Sequence, residues 1–366
     1  MWAPFAGALY STEGFAGGAE VQAVTLARSL ARSGLRVRHV VAAAGGVSRT
    51  EEGVEVVELP PGYRRRGLPR RRAVLETLRN TDAAVYIQRS AGADTGLVAL
   101  FSRATGRRSV FSASHDSDFS RDLDLIRKGG GGTENALVRL QYRIGLRTVH
   151  AVVAQTQQQA SMAQRNFRRH PVVIPSFAVA VDAARSSREA VLWIGGLSEM
   201  KNPLAYLELA ARVPEATFWM VAHDVPAERS GLAAVARARA AELPNVEMFA
   251  RLPRPEVLAL YERAIAVVNT SHHEGFPNTF LEGWSRGVPA VSLWVDPDGA
   301  LTRSGSGVLT GGDLDGAAEA IRGYLRDADL AYAAGEAGRR YIRETHAPEV
   351  VTPQWVSLVE RLRDAH

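Results

Sequence analysis

From Ser271 to Pro289 the sequence reads SHHEGFPNTFLEGWSRGVP, and few folds can accept that phrase. The apolar run before it, Ile265 to Asn269, has the length and composition of a buried strand. Gly275 and Pro277 punctuate a turn, with Pro277 near the first helical position. Phe276 to Arg286 then reads as a helix stopped by Gly287, and Val288 to Val291 begins the next strand. Strand, tight turn, helix and strand in succession form the unit of a parallel, doubly wound sheet. Its turns lie at the carboxyl edge, where ligands bind. The amides of Gly275, Phe276, Asn278 and Thr279 are expected to face outward at a helix N-terminus, an arrangement suited to phosphate. Glu274 precedes the helix and Glu282 follows eight residues later, a little over two turns on, so Glu282 can share the side of the turn. A carboxylate there can accept from two neighbouring sugar or ribose hydroxyls. Taken singly, Glu274 reads equally as a helix cap and Glu282 as a surface charge.

The stretch EGFPNTFLE resembles the E-x7-E motif of the large family of retaining, GT-B-fold glycosyltransferases that use nucleotide-activated sugars (the family 4-like group), and GWSRGVPAVS resembles the family's continuation. The resemblance implies two Rossmann-like, doubly wound α/β domains facing across a cleft. It implies Glu274 against the donor sugar, Glu282 on the ribose hydroxyls, and the turn Gly275–Thr279 on the diphosphate. Upstream, VLWIGG opens a second domain, and GGLSEMKNP resembles the family's G-R-L-x-x-x-K motif. Lys201 fills the lysine position, which implies a diphosphate contact; the alternative is a solvated lysine at a helix entry. Gly196 stands where the family has arginine, removing one charge-assisted contact. After the strand expected at Val246–Ala250, Arg251 and Leu252 match the loop that lies against the nucleotide base. Arg251 is also the candidate to replace the missing arginine.

The first half repeats the β-α alternation. Met1 to Phe5 reads as the tail of a first strand. Gly17 and Gly18 open a helix whose apolar stripe runs from Val21 to Ala31, and by resemblance this loop approaches the donor phosphate. Strands are expected at Leu35–Ala42, Val54–Leu59, Ala83–Gln88, Ser109–Ser114, Ala151–Thr156 and Pro171–Phe177. His115 and Asp116 follow one of them, and the resemblance places a residue here on donor sugar or acceptor. A structural histidine at a strand end is the other reading. Asp116-Ser117-Asp118 spells the metal-binding triplet D-x-D, but the pattern also occurs at Asp122/Asp124, Asp296/Asp298 and Asp313/Asp315, so chance accounts for it and no metal is expected. Six arginines lie between Tyr63 and Arg72. Of these, Arg64, Arg65 and Arg66 are candidates for a phosphorylated acceptor or anionic lipid, or they line a solvated loop. Lys128 to Thr133, KGGGGT, is expected to be a flexible link or an acceptor-side loop.

The chain has 366 residues, room for two domains. Residues 1–178 carry 25 Lys/Arg against 14 Asp/Glu, a charge of +11, whereas residues 179–366 carry 19 against 25, a charge of −6. This asymmetry suggests two domains with different partners; the resemblance implies an acceptor-binding first domain (1–178), a nucleotide-sugar-binding second domain (179–345) and, over residues 346–366, a helix crossing back to the first. There are no cysteines, which excludes disulfides and thiolate chemistry and fits a cytoplasmic setting, peripheral on the membrane's inner face if the arginine run meets lipid. No apolar run marks a signal peptide or a span. No interleaved basic–aromatic motif points to nucleic acid. The expected activity is retaining transfer of a sugar from a nucleoside-diphosphate sugar to a hydroxyl of a glycan, lipid-linked or small-molecule acceptor. Neither cofactor nor metal is expected. Its rivals are a catalytically silent sugar-nucleotide-binding protein, suggested by Gly196, and a GT-B nucleotide-sugar epimerase.

Overall fold

The computed structural model describes residues 1–10, 17–42, 49–65, 67–120, 132–182, 188–225 and 231–365, with the backbone only of residues 8 and 132–135. The chain forms two compact units, Met1–Phe177 with Pro348–His366, and Ala178–Ala347.

The first unit carries β1 (Val37–Val41), β2 (Arg49–Glu51), β3 (Val54–Glu58), β4 (Val85–Arg89), β5 (Arg108–Ser112), β6 (Ala151–Ala154) and β7 (Val172–Val173). They pair as β1-β3-β2 and β4-β5-β6-β7. Met1 to Phe5 does not make the expected strand. Only Trp2 bridges, to Val40 on one side and Gln88 on the other, and Pro4–Tyr10 winds into a 3-10 helix. The expected strand at Pro171–Phe177 shrinks to two residues, Val172–Val173. The sequence reading also missed β2, which pairs antiparallel with β3. Its residues, Arg-Thr-Glu, carry no apolar signal. The hairpin is made instead by Glu52 and Gly53, at φ 47° and 79°. Lys128 to Gly131 lies outside the described residues, and Thr133 falls within the helix Gly132–Thr148.

The last helix, Pro348–Asp364, buries Val351, Trp355 and Leu358 against Leu26, Leu30, Ile87 and Val110 of the first unit. The spacing of those three residues gives one apolar stripe along the helix. Removing Trp355 from this core costs about 3 kcal/mol or more.

The second unit contains β8 (Ala190–Leu197), β9 (Thr217–Asp224), β10 (Val246–Phe249), β11 (Ala264–Asn269), β12 (Ala290–Ser292) and β13 (Gly307–Leu309). All six are parallel, in the order β10-β9-β8-β11-β12-β13. The central strands β8 and β11 are buried almost throughout, which explains their unbroken apolar sequences: helices cover both faces. The helix after β11 runs Asn278–Ser285, two residues shorter at its start than expected. Pro277 takes the N-cap position at φ −60° and ψ 123°, and the helix begins behind it. Phe280 and Trp284 stack at 5.1 Å on its buried face. Gly287 ends the turn at φ 67°, a conformation that disfavours other residues. Among the described residues, no helix is long and apolar enough to cross a membrane.

Candidate active site

In the second unit, parallel strands bring four chain segments side by side at the carboxyl edge. In sheet order these are the ends of β10, β9, β8 and β11. Lys201 lies just beyond β8 on a short 3-10 turn, Glu199–Lys201. Glu274 lies beyond β11. Although seventy-three positions apart in sequence, the two side chains form an ion pair. Glu274 is nearly buried, with a side-chain exposure of 9%, and Ser271 Oγ also donates to its Oε1 at 2.7 Å. Lys201 keeps 28% of its side chain in solvent.

The two loops are tied together independently of that pair. Trp193 Nε1, within β8, donates to Thr270 Oγ1 at 2.9 Å, and Thr270 Oγ1 donates in turn to the carbonyl of Lys201 at 2.6 Å. The His272 amide donates to the Met200 carbonyl at 3.0 Å. Ser271 N is held by Asn269 Oδ1 at 3.0 Å.

The turn after Glu274 is less open than the sequence suggested. Gly275, Phe276 and Pro277 are buried, and Asn278 and Thr279 are partly exposed. Phe276 is a core residue: its ring packs on Trp284 at 6.0 Å, Tyr341 at 6.4 Å and His346 at 4.6 Å. Its backbone alone can face a ligand. Glu282 is paired with Arg254 Nη1 at 2.8 Å. Beside it the buried Tyr261 hydroxyl is raised well above its usual range, by burial first and by the Glu282 charge second. Arg254, on the helix Arg254–Glu262, has no sequence signal that joins it to Glu282. Arg251 is exposed and Leu252 partly exposed, just past β10.

The first-unit candidates sit in a different setting. Gly17 is the N-cap residue of the helix Gly18–Arg32 and is exposed. His115 caps a 3-10 turn, Asp116–Phe119, accepting from the Ser117 amide at 3.1 Å through Nδ1. Asp116 is buried. Asp118 accepts from the amides of Ser114 at 2.7 Å and His115 at 3.2 Å, completing a capping box. Arg89, partly buried at the end of β4, donates to Ser112 Oγ at 3.2 Å. Burial pushes its guanidinium down to about 10, against the pull of Asp118 and Glu20. Gln155, with its amide oxygen facing donors, accepts from Arg89 Nη2 at 2.9 Å and Ser176 Oγ at 2.7 Å.

Arg64 and Arg65 are exposed, and Arg66 lies outside the described residues. Arg70, from the same arginine run, is not a loose surface charge. It reaches the buried Asp94 at 3.1 Å and Tyr63 Oη at 2.6 Å. Tyr63 and Trp2 also donate to Asp94, at 2.8 and 3.3 Å.

The chain resembles known proteins along most of its length. The glycosyl transferase 4-like domain matches residues 17–176, and the glycosyl transferases group 1 domain matches residues 188–327. No curated protein matches significantly. Among solved structures, sucrose-phosphate synthase from Thermosynechococcus elongatus superposes with a TM-score of 0.76 at 15% identity, over 96% of this chain and 95% of that one. HepE from Anabaena, in complex with UDP and glucose, gives a TM-score of 0.74 at 15% identity, over 94% and 96%. WaaG, a glycosyltransferase involved in lipopolysaccharide biosynthesis, gives 0.66 at 16% identity, over 92% and 95%. At such identities the likeness establishes the GT-B fold.

Proposed function

We propose that this chain, a glycosyltransferase of the GT-B fold, moves a sugar from a nucleoside-diphosphate sugar to an acceptor hydroxyl with retention of anomeric configuration. The observation that carries the reading is the Lys201–Glu274 pair at the carboxyl edge of the second sheet. A cation and a carboxylate held together there have two different tasks in such a reaction. Lys201 faces the diphosphate and stabilises the charge that grows on it as the glycosidic bond breaks. Glu274, anchored by Ser271, accepts hydroxyl hydrogen bonds from the sugar and orients it. The backbone of the Gly275–Thr279 turn supplies further donors to phosphate. Glu282 serves the ribose and Leu252 the base, while Arg251, beside Leu252, stands in for the missing arginine. In HepE, which was solved with UDP-glucose, the ligand is of this chemical class.

By the family resemblance, His115 and Asp116 are assigned to sugar and acceptor, the Gly17–Gly18 turn to the donor phosphate, and Arg64–Arg65 to the charge of a phosphorylated or lipid-linked acceptor. The reaction as proposed uses no divalent cation, so turnover is expected to survive EDTA.

A second reading, a silent sugar-nucleotide-binding protein, draws on Gly196. A Cβ there would lie 2.6 Å from Val225 Cγ2 and 3.2 Å from His223 Nε2, so the site has no space for a side chain in its present form. The experiment that tests the proposal is a thermal-shift panel of nucleoside diphosphates and their sugars on the parent and on Lys201→Ala. One base is expected to stabilise the parent and to lose most of its shift in the variant, and the matching nucleotide sugar should then be consumed only when an acceptor is supplied. Binding without turnover under any acceptor would leave the silent reading. Absence of any shift at millimolar ligand would remove both.

A further inference from the structure

The ends of three adjacent strands converge on one spot in the second unit. Gly196 on β8 is in register with His223 on β9. The imidazole leans over the bare glycine: the Cβ that Gly196 lacks would sit 3.2 Å from Nε2 and 3.6 Å from Cε1. Lys201 extends from the turn after β8, and Arg251 from the loop after β10, the strand on the other side of β9. Solvent still reaches the His223 ring.

The charge available at this edge is short of what a diphosphate diester, with two negative charges, requires. Lys201 is already engaged by Glu274, so those two nearly cancel. Arg251 brings a positive charge close enough to act on the His223 ring, and Asp224, beside His223, is paired with Arg237 at 2.5 Å. Among the described residues at this edge, the His223 imidazole can supply a second full positive charge.

We propose that His223, seated over Gly196, binds the diphosphate of the donor together with Lys201 and Arg251, and takes up one proton when it does so. Gly196 is then the residue that makes room for this histidine. The inference rests on the donor reading given above and adds a specific binding residue to it.

The electrostatics of the empty site agree. Burial against the strand, then the Arg251 and Lys201 cations, hold His223 below its ordinary value of 6.5, and Asp224 only partly offsets them. Near neutral pH the ring is therefore mostly uncharged before ligand arrives. A bound diphosphate reverses the sign of the nearest charge and favours the imidazolium. The pKa is thus raised by binding, so affinity must grow as pH falls through the bound-state pKa and level off below the free-state one. Between those limits the change is about tenfold per pH unit.

The test is calorimetric titration with UDP-glucose and GDP-glucose, whose diphosphates do not change charge near neutral pH, at several values from pH 6 to 8. Running each titration in buffers of different ionisation enthalpy counts the protons directly. The parent is expected to take up close to one proton and to bind more tightly at the acid end. His223→Gln should bind several-fold more weakly at pH 6 and lose both the pH slope and the proton uptake, while melting like the parent without ligand. Gly196→Ala, whose methyl crowds Val225 first and the ring next, should weaken binding in the same direction. Tight, pH-independent binding by the parent, or an unchanged slope in His223→Gln, overturns the role of His223 and leaves the donor reading standing. No binding of any nucleotide sugar by the parent overturns both.

Discussion

The carboxyl edges of the two units hold similar residue types and use them in opposite ways. In the first unit, Asp118 is saturated by the amides of Ser114 and His115, His115 holds the Ser117 amide, and Arg89 is held between Ser112 and Gln155. Most of its polar chemistry goes into fixing the shape of loops. In the second unit, Lys201, His223 and Arg251 keep solvent access and face one another, with Glu274 as the counter-charge. Like charges drawn together weaken a fold, which agrees with the proposed anionic ligand. Net charge gives the opposite impression, because the basic half of the chain is the first. Where the charges are placed and what they touch separates ligand chemistry from architecture, and their number does not.

That contrast can be broken by three variants. The largest effect is expected from Glu274→Gln, about a hundredfold loss of turnover, because the carboxylate that orients the sugar is gone. Affinity for the nucleoside diphosphate should hold or rise, since Lys201 is released from its partner. A parallel loss of affinity and turnover, measured by titration and by initial rates, would show that Glu274 supports the loop and nothing more. Next comes Asp94→Asn in the first unit. Asp94 is almost buried and holds Arg70, Tyr63 and Trp2. Removing its charge leaves Arg70 half-buried and unmatched, at a cost of about 2 kcal/mol in urea unfolding, discounted for the partial exposure of Arg70. Nucleotide binding should not change; if it does, the two units are not separable in function. The smallest effect on stability belongs to Arg64→Ser with Arg65→Ser, under about 0.5 kcal/mol for exposed positions. Binding to vesicles containing anionic lipid should nevertheless weaken, and vesicle co-sedimentation equal to the parent's would sink the membrane contact.

Much of this was legible in the sequence where local pattern and tertiary use coincide. Glu274, the turn and the helix behind it could be placed because strand, proline, helix and glycine follow one another within twenty residues. The alternation of β and α elements likewise prescribed two parallel sheets. What escaped was made by register or by long-range contact. Nothing local links Lys201 to Glu274, or Arg254 to Glu282; those pairs exist because β8 lies beside β11 and because one helix packs near another. The motif speaks only for the Phe276 amide; that its ring belongs to the core follows from Trp284, Tyr341 and His346, which no local pattern brings together. His223 drew no notice because its meaning depends on Gly196 across the sheet. A three-residue exposed strand such as β2 has too few side chains to announce itself.

The bond chain from the Trp193 indole through Thr270 to the Lys201 carbonyl has a kinetic meaning as well. The two loops that carry the ion pair are set when the sheet folds, so a ligand meets a surface whose conformational entropy has already been lost. Less of its interaction energy goes into ordering the loops, and more remains as affinity. The same coupling makes the loops a single opening unit: the hydrogen-bonded amide protons of residues 201 and 272 should exchange together, through one shared fluctuation, and a ligand that touches either loop should slow both.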